Sequence, residues 1–136
     1  QAKIIHVQRD AAATCWSNYR HYFSTNAHGY CYDLNDVVAY YGLYRELMEY
    51  WHFYYSDHIY DLSYDDLTKQ QSVETKKMMQ YLELEWEEAC MSPEENNRFV
   101  KTASQQQVKK KIYQGSSKGW LKYQPFLFGA FDNLQS

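Results

Sequence analysis

The segment IIHVQRD at residues 4–10, together with the apolar stretch at residues 11–23, predicts a strand, a tight turn and a helix. The short β-branched run in the first segment is typical of a strand buried on both faces. In the second segment apolar residues recur at the three-to-four spacing of a helix. Asp10 is a natural N-cap for that helix, so we expect the strand to end at Arg9.

A second strand is predicted at residues 59–64, IYDLSY, where apolar and polar residues alternate. Between the two strands, Asp33 is expected to cap a long helix that reaches about Tyr55, and the apolar stripe along this helix is most simply explained as core. This order of strands and helices is typical of an α/β fold with a parallel sheet. Further helical segments are predicted at residues 72–82, 86–91 and 117–134, with a loop at residues 24–32.

Length and composition indicate one globular unit: 136 residues, of which 45% are apolar and 23% charged. This excludes a disordered chain or a coiled coil, and no apolar window approaches the roughly 18 residues of a membrane helix. Three cysteines without a C-x-x-C pair favour free thiols and a cytoplasmic location. Because two parallel strands alone leave exposed edges and the first residue is not Met, we expect further sequence upstream.

The formal net charge of -3 is unevenly distributed. Residues 98–122 contain seven Lys or Arg and no Asp or Glu, so the other residues carry seven cations against all 17 acids, a formal -10. This asymmetry indicates that an anionic partner binds at the basic segment. A solvated basic loop accounts for the same charge pattern equally well. An alternative function is a polyanion-binding module for nucleic acid or a glycan, with Tyr113 and Trp120 as stacking residues. The acidic remainder of the chain makes nucleic acid an unfavourable partner.

Arg9 and Tyr64 stand at the predicted carboxyl ends of the two strands, where ligands of open α/β sheets bind. If the strands are neighbours, these two side chains flank one crevice. Ser17, on the first helix, could join the Arg9 guanidinium on one phosphate. From spacing alone the alternatives stay open: Arg9 could pair with Asp10 or Asp65, and Ser17 could be ordinary helix surface.

Five short motifs in a fixed order resemble the sulfotransferase family, over nearly the whole chain. The similarity is greatest to its bacterial and tyrosylprotein-type branch, which is sometimes fused to tetratricopeptide repeats. The motifs are IIHVQRD at residues 4–10, SNY at 17–19, YDDL at 64–67, TASQQQV at 102–108, and GSSKGW at 115–120 with Tyr123.

The resemblance implies an α/β fold built on part of a P-loop-NTPase-like parallel sheet with flanking helices, whose N-terminal part is missing. Residues 1–136 would be the C-terminal, 3′-phosphate-binding portion of a single sulfotransferase domain. Such an enzyme transfers a sulfuryl group from 3′-phosphoadenosine 5′-phosphosulfate to an acceptor hydroxyl or amine. By motif position, Arg9 and Ser17 would bind the 3′-phosphate of this donor, and Tyr64 would lie against its adenosine.

The later motifs imply three further nucleotide-binding residues. Ser104 and Gln107 would line the nucleotide, and Lys118 would close over the phosphates. No residue matches the family's phosphosulfate loop or its general base, so we expect no catalytic residue in this chain. We also expect no metal, because the resemblance requires none and the H-x-x-C pair of His28 and Cys31 has no second pair.

Overall fold

Two parallel strands and four α-helices form a mixed α/β arrangement in the computed structural model, which describes residues 2–23, 26–96 and 111–134. The mixed α/β class predicted from the sequence is therefore confirmed. None of the helices in these ranges combines the length and apolar character that a membrane crossing requires. In chain order the elements are β1 (Ile4–Gln8), α1 (Ala11–Arg20), α2 (Leu34–Tyr55), β2 (Ile59–Ser63), α3 (Tyr64–Lys69) and α4 (Gln71–Leu82).

β1 and β2 are direct neighbours and run parallel. Ile4 lies opposite Ile59, and Gln8 lies opposite Ser63. The residues that follow the two strands therefore emerge side by side at the same edge of the sheet, where side chains from both strands can contact one ligand.

Aspartates cap α1 and α2, as the sequence predicts. The Asp10 carboxylate accepts a hydrogen bond from the backbone N–H of Ala13 at 2.7 Å. The Asp33 carboxylate accepts from the N–H groups of Asn35 at 2.7 Å and Asp36 at 3.1 Å. Each cap satisfies N–H groups that have no partner within the helix and stabilises it by about 1 kcal/mol.

The apolar core lies between α1, the first half of α2 and residues 120–134. Because the core contacts only this half of α2, the predicted core stripe is wrong toward the end of the helix: Trp51 is 40% exposed and Tyr55 49%. The buried members of the core are Ala12, Ala13, Cys15, Val37, Trp120, Leu127, Phe131 and Leu134.

The prediction that β1 is buried on both faces is also wrong, since Ile4 is 49% exposed and Val7 55%. Within the described ranges β1 has one neighbouring strand, β2, so the sheet is too narrow to bury it. The first helix ends at Arg20, three residues earlier than expected.

Two segments for which the sequence predicts a loop or an α-helix form 3₁₀ turns instead. The loop expected at 24–32 is a 3₁₀ helix at Asn26–Tyr32, interrupted at His28. The helical stretch expected at 117–134 consists of three 3₁₀ turns, because Pro125 lies inside one turn and Gly129 has a φ of +76° between two of them. The three turns are Ser116–Lys118, Leu121–Phe126 and Asp132–Leu134.

Candidate functional site

Arg9 is the first residue after β1, and its guanidinium group is held from two sides. Its Nε donates a hydrogen bond to Oγ of Ser117 at 3.1 Å, and its guanidinium carbon lies 5.4 Å from the centre of the Tyr64 ring. Arg9 forms no ion pair with Asp10 or Asp65 among the described residues; these two aspartates interact with each other, through the Asp10 N–H and a carboxylate oxygen of Asp65 at 3.4 Å. Within the described ranges, the guanidinium is therefore oriented without an ion pair to a carboxylate.

Tyr64 reaches Arg9 because of the strand register. Gln8 and Ser63 are paired, so Arg9 and Tyr64 are the next residues along the two neighbouring strands. Tyr64 begins α3, whose N-terminus is capped by the Ser63 hydroxyl, which accepts from the Asp66 N–H at 3.1 Å. Arg9 and Tyr64 therefore lie in contact, whereas the cleft beside Arg9 is not lined by Tyr64.

The turn Ser116–Lys118 completes this group of side chains. Gly115 precedes it with a φ of +88°, a left-handed conformation that favours glycine. Ser117 is buried against Arg9, and the Ser116 hydroxyl donates to the Tyr64 hydroxyl at 3.5 Å. Trp120, buried in the core, anchors the chain directly after the turn. The motif GSSKGW covers this turn, but the sequence predicted helix from residue 117, and neither serine was predicted as a partner of Arg9 or Tyr64.

Of the other residues predicted for the site, Ser17 and Lys118 are described and are not part of this contact group. Ser17 lies exposed on α1, and the hydroxyl that bonds Arg9 belongs to Ser117 instead. Lys118 is exposed in the same turn as Ser117. Ser104 and Gln107 lie outside the described residues. At the end of α1, Arg20 lies over the ring of Trp16, and His21 lies against Phe23.

A cleft of about 580 Å³ opens beside Arg9 and extends along α2. Its volume is within the range of small-molecule sites. Its polar lining includes Arg9 and Arg45 but also Glu49, so cations and anions are mixed along its length. The cleft therefore offers a cationic group at the Arg9 end rather than a uniformly basic surface.

A second polar cluster lies beside the same cleft, which is lined by three of its members: His6, Tyr44 and His52. His6, on β1, lies opposite Asp61, on β2, and the two side chains interact with 2.6 Å between Nδ1 and Oδ1. The other ring nitrogen of His6 bonds to the Tyr44 hydroxyl, and His52 Nε2 lies 3.2 Å from the same Asp61 oxygen. Burial and the nearby Asp61 charge raise the pKa of Tyr44, so this tyrosine keeps its proton at neutral pH.

Cys15 is a core thiol rather than a nucleophile. It is fully buried, and burial followed by the Asp10 charge raises its pKa to about 12. Since the thiolate is the reactive form, this environment makes Cys15 inert at neutral pH.

Comparison with known proteins adds to this geometry. A sequence model described as the sulfotransferase family matches residues 1–88. This region contains Arg9, Ser17 and Tyr64, whereas the turn Ser116–Lys118 lies beyond it. A protein of Aquifex aeolicus (strain VF5), named only as an uncharacterized protein, is 32% identical over 136 residues; the match covers 98% of this chain and 18% of that protein. The chain thus spans less than a fifth of this relative. Because the family model covers well over half of the chain, from β1 through α4, the protein belongs to the sulfotransferase family.

Proposed function

We propose that this chain is the C-terminal, 3′-phosphate-binding portion of a sulfotransferase domain of the bacterial or tyrosylprotein-type branch. It would bind the 3′-phosphate and adenosine of 3′-phosphoadenosine 5′-phosphosulfate, the donor of a sulfuryl group to an acceptor hydroxyl or amine. The observation that carries this proposal is the Arg9 guanidinium at the carboxyl end of β1, positioned between the Ser117 hydroxyl and the Tyr64 ring.

The chemistry of a phosphate monoester matches this arrangement. Only Nε of Arg9 is used in the hydrogen bond to Ser117, and in the described part of the chain no acceptor takes the two terminal amino groups. A guanidinium held in this way can donate two parallel hydrogen bonds to one phosphate. Ser17 would provide a further hydroxyl from α1.

Tyr64 and the later motifs would bind the remainder of the donor. The Tyr64 ring is fixed by Arg9 on its face and by Ser116 at its hydroxyl, which supports a role as a platform beside the adenosine. Ser104 and Gln107 would line the nucleotide. Lys118, exposed one residue after Ser117, is free to reach phosphate oxygens from the rim.

Sulfuryl transfer resembles phosphoryl transfer: an in-line displacement in which charge develops on the oxygen that leaves with the nucleotide. Cations near this oxygen stabilise the charge, while a base takes the acceptor proton. In this proposal the two-stranded sheet is part of a larger P-loop-like sheet, and the phosphosulfate loop and the base belong to the remainder of the domain. The present residues contribute donor binding, and no metal is needed for it. The three free cysteines fit the cytoplasmic location predicted from the sequence.

Calorimetry with two matched nucleotides tests the proposal. Adenosine 3′,5′-bisphosphate should bind, and adenosine 5′-monophosphate, which lacks the 3′-phosphate, should bind much more weakly. Arg9→Ala should weaken bisphosphate binding by about 10–100-fold, the value of one or two charged hydrogen bonds. Lys77→Ala removes an exposed cation on α4 and should leave the affinity unchanged.

Two outcomes would contradict the proposal. Equal affinity for the two nucleotides would mean that the 3′-phosphate is not recognised. Tighter binding of a single-stranded oligonucleotide than of the bisphosphate, with a steep loss in salt, would instead favour the polyanion-binding module.

A further inference from the structure

We propose that His6, His52 and Asp61 form a binding site for a divalent transition metal of the Zn²⁺ class, independent of the nucleotide function proposed above. Two imidazoles and one carboxylate are a common ligand set for such ions. The three ligand atoms lie within 4.8 Å of one another. Atoms bound to a tetrahedral zinc are about 3.3 Å apart, so small side-chain rotations suffice to place all three around one ion.

The ligands come from three elements that are fixed relative to one another. His6 and Asp61 are paired residues of the two parallel strands. His52 lies in the last turn of α2, which brings its Nε2 to 3.2 Å from Asp61 Oδ1. Because backbone pairing and a 22-residue helix set these positions, the arrangement is preorganised.

The crowding of nitrogens around one oxygen of Asp61 also supports an ion. Three nitrogens converge on a single oxygen, Oδ1: His6 Nδ1 at 2.6 Å, Gln8 Nε2 at 2.9 Å and His52 Nε2 at 3.2 Å. A carboxylate oxygen has two lone pairs, which three N–H donors would have to share, whereas an imidazole nitrogen can also present a lone pair to a metal ion. If the two imidazole nitrogens and this oxygen all bind a metal through lone pairs, Gln8 remains the single N–H donor to the oxygen.

The surroundings of His6 match those of a metal ligand. Metal-binding histidines usually hydrogen-bond through their second ring nitrogen, which fixes the ring and its tautomer. The second nitrogen of His6 bonds to the Tyr44 hydroxyl, and Tyr44 is itself half-buried in α2. Two neutral imidazoles and one carboxylate carry a charge of about -1, which favours a divalent cation.

The site remains open toward the cleft. His6 and His52 both line the cleft that also contains Arg9, and the side chains of His52 and Asp61 are 32% and 42% exposed. A three-ligand site therefore leaves a fourth position for water or for an anionic group in the cleft. Zinc sites with three protein ligands and an open position are typical of reactive rather than purely structural sites.

Titration of the full chain with Zn²⁺ alone, followed by calorimetry, tests this inference. We expect one Zn²⁺ per chain and no comparable binding of Mg²⁺, which prefers oxygen ligands. Loss of an outer-shell partner alone costs about 10–100-fold in metal affinity, so His52→Ala and Asp61→Asn should each cost at least about 100-fold. His58→Ala, which removes a histidine outside the cluster, should leave the affinity unchanged.

Circular dichroism and Co²⁺ spectroscopy separate loss of the ligands from loss of folding. Far-ultraviolet circular dichroism of each variant shows whether it is folded. Because His52 is only half-buried and Asp61 is exposed, we expect these variants to fold. Tyr44→Phe should weaken Zn²⁺ binding by about tenfold through its effect on His6. With Co²⁺, visible bands without a thiolate charge-transfer band are expected. A thiolate band, or unchanged affinity in folded His52→Ala or Asp61→Asn, would overturn the proposal.

Discussion

Nε of Arg9 donates a hydrogen bond to Oγ of Ser117, a residue 108 positions away along the chain. This contact joins the end of β1 to the turn Ser116–Lys118 and determines where the guanidinium group is held. If Arg9 binds a phosphate, the orientation that Ser117 provides is part of the affinity.

Ser117→Ala is expected to weaken adenosine 3′,5′-bisphosphate binding by about 3–10-fold, less than Arg9→Ala, because the cation remains while its partner is lost. Since the Ser117 hydroxyl is buried, the free energy of unfolding should also fall by about 1 kcal/mol. Calorimetry and urea denaturation measure the two effects. Ser72→Ala, at an exposed position of α4, is the control, and an equal effect in both variants would disprove the role of Ser117.

Tyr64 variants separate the ring from the hydroxyl. Tyr64→Phe keeps the aromatic face over which Arg9 lies and loses only the 3.5 Å contact with Ser116, so its bisphosphate affinity should stay within about threefold of the parent. Tyr64→Ala removes the ring and should cost about 10-fold or more. Equal affinities for the two variants, measured by calorimetry, would show that the ring has no role in binding.

Val37 and Leu47 lie in different halves of α2. Variants at these two positions test which half of the helix contacts the core. Val37 is 1% exposed and Leu47 51%. Val37→Ala leaves a cavity and should lower the free energy of unfolding by about 2 kcal/mol. Leu47→Ala should change it by no more than about 0.5 kcal/mol. Urea denaturation of both variants checks this; a larger loss for Leu47→Ala would mean that the second half of α2 contributes to the core.

The raised pKa of Cys15 predicts a decline of stability at alkaline pH. In the unfolded chain the thiol ionises near its ordinary pKa of 9.0, whereas in the folded chain its pKa is about 12. Between these values the unfolded state binds fewer protons, so the free energy of unfolding falls as pH rises. Urea denaturation at about pH 8 and about pH 10 should show this decline, and Cys15→Ala should reduce it. An identical decline in the variant would contradict a contribution from Cys15.

Local signals were sufficient for most of the secondary structure. The β-branched run before Arg9 and the aspartates before α1 and α2 act through neighbours a few residues away, so strand and helix starts could be predicted. The burial of individual side chains could not be predicted, because the exposure of Val7 and Tyr55 depends on which elements cover them. The cluster proposed to bind a metal could not be predicted for the same reason: His6, His52 and Asp61 come from three elements, and no spacing in the sequence indicates them.

The hydrogen bond between Arg9 and Ser117 could not be predicted from sequence patterns, for a related reason. Arg9 and Tyr64 follow paired strands, so their proximity follows from a two-strand parallel sheet. Ser117 belongs to a turn with no regular periodicity, and its position is set by Trp120 in the core. The family resemblance included the motif GSSKGW, but only the packing of Trp120 shows that Ser117 contacts Arg9.

The separation of 108 residues between Arg9 and Ser117 also affects the order of folding. Contacts between distant residues form slowly, since the chain must lose loop entropy before they are made, whereas helices such as α2 form in about a microsecond. During synthesis Arg9 has no hydroxyl partner until residue 117 has left the ribosome and Trp120 has docked. The contact group of Arg9, Tyr64 and Ser117 is therefore completed later than the local helices, and a chain interrupted before Trp120 contains Arg9 and Tyr64 without the turn that orients them.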